Sequence, residues 1–446
     1  MVEIKIWACC KDTGGTKGVV QVLRKLEQAG RFKIRIFANG VAPRFLEEAG
    51  VTEYEVCDDP TSVLASTSER PSFLLTSLDS PGSIGAKMVR ALRAEDYKGT
   101  IIALSDYPVS SALTNDWTDI RPNYITSGGL ANTAVIKKLW PEFEHGQRIV
   151  ETGYPAFDRL THLNVPEIRA RIRKELGIAE DRFLITLLTE KFGAAEVLEQ
   201  FTKVFKELGS KALVAIRPHP GIKADPEENE RFLKEKKLLS GQTVETVDKF
   251  TTEEVMAASD AVVATYSTAL GEASAMGIPS VNFVIPMIEK IYMERTSGVA
   301  PVFPWVSEGV CSEARTTEEL KDLLKSIITG ETRSRSVEAQ RHLLLDGSSA
   351  TRVSKFIDHI AACRVGVIDD NYVHEKGLVK VGEAKAEWDG HPHCWTGESP
   401  LAVERQSKDY TQLYLQGKAA DAGAQYIVIK EDTVRCEMTA TFYRKP

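Results

Sequence analysis

The sequence predicts an α/β chain with parallel, doubly wound sheets spread over more than one domain. Three observations carry that expectation. Short apolar strands alternate with amphipathic helices through most of the length, an order that builds parallel sheets through crossover helices. Four polar or glycine-rich motifs each follow directly on a predicted strand, which is where such sheets bind ligands. A chain of 446 residues is also too long for one hydrophobic core.

Taken in order, residues 4–8 read as a buried strand and residues 19–29 as a helix with Val19, Val22, Leu23 and Leu26 on one face. Residues 33–38 read as a strand, 42–49 as a helix and 53–56 as a short strand. Then come strand 73–77, helix 85–94, strand 100–104, strand 124–126 and helix 130–139, and strand 149–152 closes the first pattern. A charged helix, 165–176, carries Pro166 in its first turn and bridges to the second pattern. There, strand 183–188, helix 194–208 and strand 212–216 are followed by an expected strand at 244–247. Thr251 or Thr252 caps a helix ending at 258, with Glu253 and Glu254 in the favourable first turn. Strand 261–265, a helix and an apolar strand after Gly277-Ile278-Pro279 come next. Helix 317–328 is capped by Thr316 or Thr317, and helix 350–362 ends the pattern.

Composition narrows the function classes. Hydrophobic residues make up 43% and charged residues 27%, ordinary for a soluble globular chain. A net charge of −7 argues against a nucleic-acid-binding surface. No apolar run has the length of a membrane span, and the amino terminus lacks the features of a signal peptide, so a cytoplasmic protein is expected. Seven scattered cysteines form no C-x-x-C pair, so reduced thiols are expected, with neither zinc nor a redox dithiol indicated.

The chemistry concentrates in four motifs. The first is Lys11-Asp12-Thr13-Gly14-Gly15-Thr16-Lys17-Gly18, a glycine-rich turn after a strand and an expected anion cradle in which Gly14, Gly15 and Thr16 bind substrate. It is not a Walker loop, because Lys17 is followed by Gly18. The second is Gly153-Tyr154-Pro155-Ala156-Phe157-Asp158, in which Asp158 is expected to orient an interdomain hinge. The third is Arg217-Pro218-His219-Pro220. Its cation, one residue beyond an apolar strand, suits a phosphate, with a salt bridge as the alternative. His219 can act as acid or base near neutral pH, or simply be fixed by its prolines. The fourth runs Tyr266-Ser267-Thr268-Ala269-Leu270-Gly271-Glu272. Ser267 and Thr268 open a helix whose free N–H groups attract anions, although Ser267 can also be a plain cap. Glu272, one turn in, is placed to reach a ribose diol.

In this order, with Gly277-Ile278-Pro279 after the last motif, the four segments resemble the GT-B superfamily. They are most similar to the UDP-N-acetylglucosamine 2-epimerase-like and CDP-glycerol glycerophosphotransferase-like branches. The late segment Leu345-Asp346-Gly347-Ser348-Ser349-Ala350-Thr351-Arg352-Val353 resembles the end of the second branch. The resemblance covers about residues 1–360. It implies two Rossmann-like domains in GT-B arrangement: an acceptor-side domain at 1–158, a nucleotide-binding domain at 159–345, and a crossover helix at 346–363 returning to the first domain. It also implies a transferase of surface glycan or polymer biosynthesis that uses a nucleotide-activated sugar or glycerol donor of UDP or CDP type, without a metal or other cofactor. Epimerisation of a sugar nucleotide and non-catalytic binding are the alternatives. A homodimer stays open.

Within that frame Ser267, Thr268 and the helix they open would hold the diphosphate and Glu272 the ribose, with Tyr266 a further substrate-binding residue. Arg217 and His219 would stabilise leaving-group charge, and Asp12 or Asp106, each just past a strand, would activate the acceptor. Epimerases usually carry G-T-R-P-E and H-R-x-E-N segments. Here the corresponding stretches are residues 12–18 and Thr189-Glu190-Lys191-Phe192-Gly193. The phosphotransferases usually carry a histidine in the first domain, where this chain has only His145, poorly placed. Residues 364–446 fall outside the pattern and read as a small α+β appendage similar to a module of bacterial envelope-stress proteins. Its His391, His393 and Cys394, with Cys436, match no standard zinc-finger spacing, and Trp388 and Trp395 are expected to pack that module.

Overall fold

The computed structural model describes residues 4–143, 148–247, 249–331, 344–362, 366–367, 379–387, 426–432 and 437–444. It divides into two compact units, residues 5–351 and a second made mainly of residues 352–446.

The larger unit contains two sheets that are parallel throughout. The first has seven strands: β1 Ile4–Cys10, β2 Phe32–Ala38, β3 Glu55–Val56, β4 Phe73–Ser77, β5 Thr100–Leu104, β6 Tyr124–Ser127 and β7 Ile149–Glu151. Their order is β3-β2-β1-β4-β5-β6-β7. The second has β8 Phe183–Leu188, β9 Ala212–Arg217, β10 Ala261–Ala264, β11 Ser280–Phe283 and β12 Ser312–Ala314, in the order β12-β11-β10-β8-β9. The strands are apolar because both faces are covered, and β4 and β10 are buried at every residue. This is the expected α/β architecture of two Rossmann-like halves.

Each sheet has its own core. Trp7, Phe37, Met88 and Trp117 pack the first, and Ile185, Phe201, Phe205 and Phe283 the second. A third cluster joins the halves, with Tyr154 and Phe157 packed with Leu270, Phe303 and Trp305. Between the sheets, Asn164 caps the helix Val165–Glu175, which has Pro166 in its first turn.

Several local expectations shift. The first helix is Thr13–Gln28 rather than 19–29, so the glycine-rich segment is the helix's opening turns and not a loop. Thr251 and Thr316 are the caps, and each closes a reciprocal capping box, with Glu254 and Glu319. The expected strand at 244–247 reduces to a single bridge, Val214 to Thr243. Helices Pro226–Lys237 and Pro286–Arg295 went unread. The first is so charged that only Phe232 is buried, which leaves almost no apolar period to detect.

The second unit carries a four-stranded sheet ordered β13-β15-β16-β14, from β13 Gly366–Val367, β14 Val379–Glu387, β15 Tyr426–Asp432 and β16 Glu437–Arg444. β16 pairs antiparallel with β14 and β15, opposing Tyr426 to Tyr443. The helix expected at 410–422, His145, and the His391, His393, Cys394 and Cys436 group lie outside the described residues. Cys9, Cys10, Cys57 and Cys311 are free and buried. No helix among the described residues is long and apolar enough to cross a membrane.

Candidate active site at the carboxyl edges of two sheets

In the first sheet the chain order reverses between β1 and β4, the place where ligands enter open α/β sheets. Asp12, Asp79 and Asp106 each stand two residues beyond β1, β4 and β5. The strand register pairs Cys9 with Thr76 and Ser77 with Leu104, so carried onward it sets the three carboxylates in one row. The row is hydrogen-bonded. Asp12 donates its main-chain N–H to Asp79 Oδ1 at 3.2 Å. Ser77 Oγ donates to Asp79 Oδ2 at 2.7 Å. The Asp12 side chain accepts from the Ser80 hydroxyl at 3.1 Å and from the Ser80 N–H.

Asp79 is only 1% exposed. Burial, reinforced by the charge of Asp12, pushes it up to about 7. Burial, then Asp79 and Asp12, raise Asp106 well above the usual carboxylate range. Sequence reading had singled out Asp12 and Asp106 but not Asp79, although all three occupy the same position past a strand.

This row also explains the two glycines. A Cβ on Gly15 would lie 2.3 Å from both Asp79 Oδ1 and Ser77 Oγ, and one on Gly14 would lie 3.2 Å from Asp106 Oδ2. Thr16 is buried and its hydroxyl donates to the Asp12 carbonyl at 2.7 Å. The helix start expected to cradle a substrate anion thus lies directly against the protein's own carboxylates, and Gly14 and Gly15 leave room for them.

In the second sheet the order reverses between β8 and β10. Tyr266 follows β10 with φ of +48°, a strained conformation for an aromatic residue. Its N–H is held by Asn282 Oδ1 at 2.8 Å, and its ring stacks on Tyr292 with centroids 3.9 Å apart. Ser267 then caps the helix Thr268–Ala275, leaving Thr268 at the positive end of the helix dipole. Glu272 lies deeper in this helix. Burial raises its pKa; Lys17 offsets part of that rise, while the charge of Glu253 adds to it.

His219 ends the β9 side of the same edge. Its Nδ1 accepts from the Gly221 N–H at 3.0 Å, so in the neutral ring Nε2 carries the proton and is the free donor. Burial and then Lys191 lower its pKa. Arg217, expected to meet a phosphate or to form a salt bridge, holds main-chain and hydroxyl oxygens of its own chain. Its guanidinium donates to the carbonyls of Thr246 (2.9 Å) and Phe250 (3.0 Å) and to Thr252 Oγ1 (3.2 Å). It fastens the loop after 243 to the sheet.

The two edges meet. The Tyr107 hydroxyl, next to Asp106, donates to the Tyr266 carbonyl, just ahead of Ser267. Lys17 of the first helix pairs with Glu253 at 2.7 Å, and Arg159 pairs with the same carboxylate. Although burial opposes it, these two cations bring Glu253 down to about 2. Asp158 accepts from the N–H groups of Ser349 (2.9 Å) and Ala350 (2.7 Å), capping the helix Ser349–Ala362.

Comparison with known proteins identifies the family and the fold. Residues 109–358 match the family model of CDP-glycerol:poly(glycerophosphate) glycerophosphotransferase. The chain belongs to that family. It is accordingly a transferase-type enzyme built to use a nucleotide-activated donor. Among solved structures, the chain is similar to UDP-N-acetylglucosamine 2-epimerase from Neisseria meningitidis bound to UDP-GlcNAc. That pair shows 11% identity over 79% of this chain and 99% of the other, with a TM-score of 0.60. It is similar to a protein from Listeria monocytogenes described as the same kind of epimerase, at 15% identity, 81% and 96% coverage and a TM-score of 0.57. A histidine-to-asparagine variant of the wall teichoic acid polymerase TagF matches at 15% identity, 80% and 88% coverage and a TM-score of 0.50. No curated protein matches the chain. At these identities the solved structures bear on the fold alone.

Proposed function

We propose that this glycerophosphotransferase-family chain transfers a phosphopolyol or glycosyl group from a nucleoside-diphosphate donor to an acceptor hydroxyl, without a metal, in the cytoplasm. In this reading residues 1–158 serve the acceptor and residues 159–345 the nucleotide. The observation that carries it is the Tyr107–Tyr266 hydrogen bond. It brings a carboxylate row, in which burial pushes Asp79 up to about 7, against the open start of the helix Thr268–Ala275.

The donor diphosphate lies at Ser267 and Thr268, where free N–H groups meet anionic oxygens. His219 Nε2 donates to the leaving phosphate. Asp79, Asp106 and Asp12 face the acceptor, and the member ionised at working pH takes the acceptor proton. The acceptor oxygen then bonds to the transferred phosphorus or carbon, and the bond to the leaving phosphate oxygen breaks. The absence of a described first-half histidine in the row is met by Asp79, whose upward shift gives it the range a histidine usually covers.

The released nucleotide tests the reading. CDP-glycerol with a poly(glycerophosphate) acceptor should yield CMP, and a UDP-sugar with its acceptor should yield UDP. Recovery of an altered sugar nucleotide instead would assign the chain to epimerase chemistry. Absence of binding to either donor in calorimetry would reject the reading.

A further inference from the structure

The β8 end carries a carboxylate that none of the roles above uses. β8 pairs with β9 through Leu188 and Arg217, and with β10 through Leu187 and Val263. The β9 ladder continues one step, with the Thr189 N–H donating to the Arg217 carbonyl at 3.2 Å. Carried past the strand ends, both registers bring Glu190 level with His219 on one side and Tyr266 on the other. Adjacent strands lie about 4.8 Å apart. Glu190 thus stands between the imidazole and the helix start that the transferase reading gives to the diphosphate.

Its surroundings are those of a binding position. No hydrogen bond reaches the Glu190 carboxylate among the described residues. The hydroxyl of Thr189, 5% exposed, is also buried without a partner. Lys191 turns to the His219 side, where its Cδ would meet a Cβ on Gly221 at 3.1 Å. The charge of Arg295, at the end of the helix Pro286–Arg295, acts on Glu190, and Glu190 acts on Tyr107 of the first half; the registers add His219 from the β9 end and Tyr266 from the β10 end, with Lys191 next in sequence. Burial raises Glu190 to about 7, with Arg295 offsetting part of that rise.

We propose that Glu190 is a proton-carrying contact to the donor, holding a phosphate oxygen as the neutral acid, so that donor binding draws a proton from solution. The proposal rests on the transferase reading. A carboxylate and a diphosphate side by side in a half-buried cleft repel, and protonating Glu190 replaces that repulsion with an O–H···O⁻ hydrogen bond. The proton comes from water, and the donor, a diphosphate diester, has no group of its own that titrates near neutrality.

Calorimetry with CDP-glycerol and UDP-N-acetylglucosamine, in two buffers of different ionisation enthalpy, reads the proton directly. The parent should take up about one proton per donor at about pH 8 and less at about pH 6, with affinity falling about tenfold per unit above pH ~7. Glu190→Gln should abolish the uptake and flatten the pH dependence, and Glu190→Asp, which keeps the carboxyl, should retain both. His219→Asn should keep the uptake, which separates the carboxyl from the imidazole. Unfolding curves establish that each variant is folded. Uptake that survives in Glu190→Gln, or heats independent of buffer in the parent, would overturn the proposal while leaving the transferase reading intact. If neither donor binds the parent, the transferase reading falls, and this proposal with it.

Discussion

Tyr107 donates its hydroxyl to the main-chain carbonyl of Tyr266, a residue held at φ +48°. A side chain from one sheet thereby fixes a strained peptide of the other, one residue before the helix start. Tyr107→Phe should keep the ring packing on Phe303 and Trp305 but free that peptide. The expected loss is about 1 kcal/mol of stability and a weaker donor affinity, read by chemical denaturation and calorimetry. Unchanged donor affinity would show that the bridge does not shape the binding end.

Thr268→Glu adds a negative charge at the positive helix end without touching a core residue. Nucleotide affinity should fall at least about tenfold while the unfolding midpoint stays nearly constant. Unchanged affinity in calorimetry would remove this helix from the donor site.

Asp79→Asn tests the carboxylate row through stability and activity in opposite directions. The folded state holds the Asp79 proton up to about pH 7, whereas the unfolded chain releases it near the ordinary aspartate value. Between those values the folded state binds more protons, so this group's contribution falls as pH rises and is fully unfavourable above about 7. Asp79→Asn should therefore stabilise the protein by about 1–2 kcal/mol at pH ~8, with little change at pH ~4. Turnover should drop about a hundredfold or more. A variant that is stabilised and still active would confine Asp79 to a structural role.

His219→Ala and Arg217→Ala should separate cleanly. His219 is exposed with Nε2 free, so its loss should lower kcat about a hundredfold and leave folding unaffected. Arg217 holds two carbonyls and a hydroxyl, so its loss should cost roughly 1.5–3 kcal/mol of stability. An Arg217→Ala protein of parental stability but without donor binding would return Arg217 to the phosphate.

The sequence made the sheets legible because buried parallel strands are continuous apolar runs, and β4, β8, β9 and β10 all read that way. It also marked Asp12, Asp106, His219 and Ser267, which follow such runs directly. It misread the glycine segment because glycines usually signal turns, whereas Gly15 is there to let Asp79 approach a helix. Asp79 and Glu190 escaped notice for another reason. Each is an ordinary carboxylate in an unremarkable local sequence, and its character arises only from neighbours distant in the chain. Arg217 was legible as a buried cation but not in its partner, because the carbonyls it holds belong to a loop with no sequence signature.

Asp158 and the start of the helix Ser349–Ala362 are 191 residues apart in the chain. At about 5–20 residues per second of synthesis, the capping carboxylate leaves the ribosome roughly 10–40 seconds before the N–H groups it serves. Until then Asp158 is a buried-type anion without its partners, beside a nascent half that already has a complete sheet. The larger unit can be sealed only once residues 349 and 350 have been made, so a chain truncated before residue 349 should expose this region to proteases. Closure of the larger unit by the Asp158 cap is thus tied to the order in which its residues are made.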